Sequence, residues 1–114
     1  MANTFKLKTR AGIDTSLATV YTVPASKTTV IIGLTLTNIK GASITASVQV
    51  SSNTVDVETN ADVYVVKDIP IPSGASVEVM AGNKIVLQTT DILKVSTSVT
   101  DGVDAVLSIM ESDV

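Results

Sequence analysis

Apolar residues recur at every second position, in short runs, along almost the whole of this chain. Phe5, Leu7 and Thr9 alternate with Lys6, Lys8 and Arg10, and Ile44, Ala46, Val48 and Val50 alternate with Thr45, Ser47 and Gln49. A 3.6-residue apolar period persists nowhere over ten residues. Period two is the signature of a pleated strand with one buried face, so the chain is built from strands. Val, Ile and Thr together make up roughly 39% of it, and these side chains fit a half-buried pleated surface.

Turn residues divide the alternation into short pieces. Strands are expected over 5–10, 17–23, 28–38, 44–50, 63–71, 77–80, 84–88, 93–99 and 103–110, with a further short one at Val55 and Val57. The separators include Ala11-Gly12, Pro24, Lys40-Gly41, Ala81-Gly82-Asn83, Thr90-Asp91 and Asp101-Gly102. The spacing predicts one all-β domain over 1–114, a single β-sandwich of about eight or nine mostly antiparallel strands, jelly-roll or immunoglobulin-like. Residues 1–10 form an N-terminal arm or edge strand. Lys40-Gly41 predicts a hairpin between 28–38 and 44–50, and Asp101-Gly102 predicts one between the last two strands. Val30, Ile32, Leu34, Val48, Val86, Val95 and Leu107 are expected to face inward. The run TTVIIGLTLTN (28–38) is apolar on both faces in its first half, which suits a central strand, and Gly33 marks a bulge or a close approach.

Composition removes whole classes of chemistry. The chain has no Cys and no His, so it offers no thiol nucleophile, no imidazole acid–base catalysis and few means of holding a transition metal. Aromatics are 3% and the net charge is −3, which argues against base stacking and phosphate binding, and hence against a nucleic-acid partner. No apolar run approaches the roughly 20 residues of a membrane helix. The start, MANTFKLKTRAG, has no apolar core of a signal peptide, so a soluble protein without a membrane partner is expected.

Three stretches invite a functional reading. In KDIPIPSGASVEVMAGNKIVLQTTD (67–91), Pro70 and Pro72 alternate with Ile69 and Ile71, which places the segment on a sheet edge or a crossover rather than in a PxxP ligand. AGNK lacks the spacing of a phosphate loop and reads as a turn with Gly82 or Asn83 at positive φ. In DVETNAD, Asp56, Glu58, Asn60 and Asp62 have the spacing of oxygen ligands for calcium, but Ala61 and Lys67 stand where the Gly and Glu of an EF-hand belong. The alternation is read as a solvated hairpin in preference to a cation site, and no cofactor or metal is assigned. Ser26-Lys27 reads as a turn and not as a catalytic dyad. The eleven scattered acids form no recognisable pair, so no catalytic residue is assigned.

The remaining feature is a charge asymmetry. Lys6, Lys8 and Arg10 precede any acid, while Asp101, Asp104, Glu111 and Asp113 crowd the other end. One reading is an edge strand blunted by charge. The other is an arm, with Phe5, Lys6, Leu7, Lys8 and Arg10 as partner-binding residues, docked on an acidic neighbour such as another copy's C-terminus.

The runs VYTVPASKTTVIIGLTLTNI (20–39) and YVVKDIPIPSGASVEVMAGNKIVLQTTDILKVSTS (64–98) resemble small structural proteins of tailed bacteriophages, including phages of marine cyanobacteria. The likeness lies in a Y-x-V-P-A segment leading into an apolar strand, then a P-I-P-x-G turn, a G-x-K-[IV]-x-L strand and a D-x-[IL]-x-V strand. It covers about two thirds of the chain and concerns turns and core strands, so no functional residue carries over. The resemblance implies a non-enzymatic virion protein. The first expectation is a capsid decoration or cement protein, a homo-oligomer such as a trimer, bound to the major capsid protein. A tail, neck or baseplate accessory is the alternative, and a small hydrolase or carbohydrate-binding module the remote one.

Overall fold

The structure is a computed structural model and describes residues 3–52 and 62–113. Among these, nine strands account for all regular structure: β1 (Asn3–Ile13), β2 (Ala18–Thr22), β3 (Lys27–Asn38), β4 (Ile44–Ser51), β5 (Val63–Ile71), β6 (Ser76–Glu78), β7 (Ile85–Leu87), β8 (Ile92–Thr97) and β9 (Val103–Asp113). They form two antiparallel sheets. One has the order β1-β9-β3, with β6 and β7 side by side along the far edge of β3; the other has the order β2-β8-β4-β5.

The pairing rule behind this order is simple. The first strand pairs with the last, β2 with β8, β3 with β6 and β7, and β4 with β5. The chain is therefore a long antiparallel ribbon wrapped on itself, which is a jelly roll. This settles the choice between the two sandwich types. It also corrects two hairpins. β3 is flanked by β9 on one edge and by β6 and β7 on the other, so no edge is left for β4, which lies in the opposite sheet beside β8 and β5. The Lys40-Gly41 turn is a crossover instead. Asn38 organises it, donating from Nδ2 to the carbonyls of Ala42 and Ile71 and accepting from Lys40 N–H. Asp101-Gly102 likewise carries the chain from β8 to β9 in the other sheet. Asp101 adopts a left-handed φ of 53°, and Gly102 N–H bonds Ile13 O.

The core lies between the sheets. Ile31, Leu34 and Leu36 of β3 and Leu107 and Ile109 of β9 meet Val48, Leu93 and Val95 from the facing sheet. Of the seven residues expected inside, Leu34, Val48, Val95 and Leu107 are buried. Val30, Ile32 and Val86 are not: Val30 is half-buried, and Ile32 and Val86 are exposed. The cause is parity. Thr29 and Ile31 point inward, a bulge between Ile31 and Gly33 shifts the register, and Leu34 and Leu36 continue on the inner side. Val30 and Ile32 therefore take the outer face, as does Val86, which pairs with Val30.

Gly33 is where that bulge meets β6. A Cβ there would stand 2.8 Å from Glu78 Oε1, and the same carboxylate accepts from the N–H groups of Leu34 and Met80 at 2.9 Å. Among the described residues the Pro70 segment forms the edge of its sheet, since β5 pairs there only with β4. Beyond Pro72 the chain crosses to β6. The turn after β6 has Ala81 and Gly82 at positive φ. The expected strand at Val55 and Val57, and Asp56, Glu58 and Asn60 of the acidic loop, lie outside the described residues. Among the described residues no group of acids stands close enough to hold a metal ion.

Candidate functional site: β1 and the outer face beside it

β1 forms a free edge of the five-stranded sheet and pairs along its length with β9. The register decides what each of its side chains does. Lys6 and Lys8 pair with Ile109 and Leu107, which are core residues, so the lysines lie on the inner side. Phe5 and Leu7 pair with Met110 and Ser108 and lie on the outer side.

The three cations are therefore used within the chain. Lys6 Nζ stands 2.8 Å from Glu111 Oε1. Lys8 Nζ lies 6.0 Å from the centroid of the Tyr21 ring. Arg10 donates to Thr19 O at 3.0 Å. The basic strand meets the acidic end of its own chain through Lys6, which pairs with Glu111, while Asp113 pairs with Lys27 of β3. Inward-pointing charge on a long edge strand also discourages a further strand from adding there.

Glu111 is the centre of a buried polar cluster. It is only 2% exposed, because residues 103, 105, 107, 109 and 111 all share the core-facing parity of β9. Its Oε2 accepts the Tyr21 hydroxyl proton at 2.5 Å, and the Thr29 hydroxyl lies 2.7 Å from the same Tyr21 oxygen. The Lys6 hydrogen bond, and then that of Tyr21, hold the Glu111 carboxyl below its usual range, against the opposing effect of burial. Burial first, then the bond to Glu111, push the Tyr21 phenol up to about 12. The cluster ties β1, β2, β3 and β9 together at one end of the core.

The outer side is the reverse. Phe5 is 71% and Leu7 65% exposed, and nothing among the described residues covers them. Sequence reasoning placed both on a common face and left them as partner-binding residues; the structure places them, with Val30, Ile32 and Val86, on one outer sheet face. It also shows that Lys6, Lys8 and Arg10 lie on the other side of the strand. Reading Glu111 by its parity with Leu107 and Ile109 would have flagged it as a buried acid in need of a cation.

No protein-family model matches the chain, and no curated protein matches it. A solved structure of Bacillus endospore appendages, described as a family of disulfide-linked pili, is similar over 99% of this chain and 88% of that one, with a TM-score of 0.51 and 11% identity. At that identity the likeness is one of fold, and this chain has no cysteine with which to form a disulfide.

Proposed function

We propose that this chain is a non-enzymatic structural subunit of a tailed-bacteriophage particle, a decoration protein that sits on the outside of the head as a homo-oligomer against the major capsid protein. The observation that carries this reading is β1. It orders eleven residues, yet only Ile13 among them is buried. Fixing each residue costs about 1–2 kcal/mol of backbone entropy, and two of the strand's three large apolar side chains, Phe5 and Leu7, point to solvent. Phe5 and Leu7 gain from their position only when another surface covers them.

Three further points support the reading. The sequence resembles phage structural proteins over two thirds of its length. The jelly roll is a wrap that viral capsid domains also use. The similar solved structure is that of endospore appendages described as disulfide-linked pili. That likeness also favours a second reading, a tail, neck or baseplate component.

The experiment is co-pelleting with particles stripped of the protein. Wild type is expected to rebind. A Phe5→Ser/Leu7→Ser variant, which keeps the inner face of β1 intact, is expected to stay folded and to bind at least about tenfold more weakly, because it loses the oligomer whose combined contacts hold it on the head. Deleting residues 2–10 is expected to abolish binding. Undiminished binding by the serine variant would remove β1 from the contact, and failure of wild type to rebind would overturn the decoration reading.

A further inference from the structure

The outer face of the five-stranded sheet carries an apolar row that runs across β1, β9, β3 and β7. Phe5 stands opposite Met110, Met110 opposite Val30, and Val30 opposite Val86. Leu7 and Ile32 adjoin the row. An antiparallel sheet with one solvated face normally shows polar residues there. Here Phe5 and Leu7 are joined by Val86 at 59% and Ile32 at 40% exposure. The lysines and arginine of β1 and β3 share the register of the inner face, and the Glu78 carboxylate is held by Leu34 and Met80 N–H. The row itself bears no charge.

We propose that this face is a self-association surface, covered by the same face of a second copy related by a two-fold axis. Area favours that occupant. The exposed side chains of the row and its neighbours present on the order of 500 Å² of apolar surface, at the upper end of what a monomer leaves open. A standard interface buries about 800 Å² per partner, somewhat more than half of it apolar, so the face supplies the apolar share of one such interface. Charge favours it too. Two copies each carrying a net charge of −3 repel, and the uncharged row, set apart from Glu78 and Asp104 on the same face, is where they meet at least cost. Shape agrees as well. Sheets pack face to face about 10 Å apart. A two-fold axis between Met110 and Val30 brings the large Phe5 of each copy onto the small Val86 of the other, an isologous contact. The inference deepens the assembly reading by naming one subunit contact.

The absence of cysteine makes the test clean. Residues 5 and 86 are separated by three strand spacings of about 4.8 Å each, too far for a disulfide within one chain. A Phe5→Cys/Val86→Cys variant is therefore expected to be linked into a covalent dimer by a short bis-maleimide, which spans the roughly 10 Å between facing sheets, while each single variant is not. In sedimentation velocity the wild type is expected to be dimeric at tens of micromolar. Val86→Glu is expected to weaken association at least about tenfold, with an unchanged melting curve at a dilution where both proteins are monomers, and Thr19→Glu, on the outer side of the other sheet, is expected to leave association intact. A monomeric wild type, or a Val86→Glu variant as dimeric as wild type, would overturn the proposal. In the second case association runs through another surface, such as exchange of β1, and the structural-subunit reading stands.

Discussion

Lys6 Nζ lies 2.8 Å from Oε1 of Glu111, joining a partly exposed ammonium on the first strand to a carboxylate sealed inside the sandwich on the last. The contact closes the jelly roll where its two ends meet. It also explains how β9 keeps a carboxylate on its core face: the charge has a cation on one oxygen and a phenol on the other.

This arrangement makes stability depend on acid pH in a defined direction. The folded carboxyl of Glu111 is held down, so its contribution is complete above the unfolded value of about 4.3 and is lost as pH falls from there through the folded value. The melting temperature of wild type should fall faster below about pH 4.3 than that of Glu111→Gln. Lys6→Met should cost about 1–3 kcal/mol at neutral pH by leaving the carboxylate without its cation. Parallel acid profiles for wild type and Glu111→Gln would show that Glu111 is not held down.

At alkaline pH the sign reverses. Tyr21 is pushed up to about 12, so the unfolded phenol, at about 10, releases its proton first. Its contribution is fully present below pH 10 and lost as pH rises toward 12. The difference in phenolate absorbance between wild type and Tyr21→Phe should titrate near 12; a midpoint near 10 would mean the hydroxyl is not buried against Glu111.

Gly33 and Glu78 should be coupled. Gly33→Ala displaces the carboxylate that holds Leu34 and Met80 N–H and should cost about 1–3 kcal/mol. In a Glu78→Ala background the same change should cost clearly less, which a double-mutant cycle by denaturant unfolding reads directly. Additive costs would show that the close approach is relieved without loss.

The parity of β3 and β7 is equally open to test. Leu107→Ala, in the core, should cost about 2–5 kcal/mol. Ile32→Thr and Val86→Thr, on the outer face, should each cost less than about 1 kcal/mol in the monomer. A core-sized loss at Val86 would put it inside.

Strand content and fold class were legible because period two is written locally. Val63–Ile71 and the ends of β2 and β3 could be read from alternation and proline alone. Strand partners were not legible, because a jelly roll pairs its ends across the whole chain and a Gly-containing turn looks the same in a hairpin and a crossover. Val30 and Ile32 were misplaced because TVII is apolar on both parities, and only the bulge at Gly33 sets which one is inward. The basic face of β1 was visible, but its direction was not. Lys6 turns inward because Glu111 waits there, and that carboxylate lies 105 positions along the chain.

The central claim, a structural subunit present in many copies on a particle, is tested most directly by stoichiometry. Purified phage particles carrying this protein can be resolved by gel and its band quantified against the major capsid protein. The account predicts hundreds of copies per particle, as expected of a protein that follows the head lattice. About a dozen copies would place it at the neck or baseplate and contradict decoration, and its absence from the purified particle would contradict the virion reading altogether.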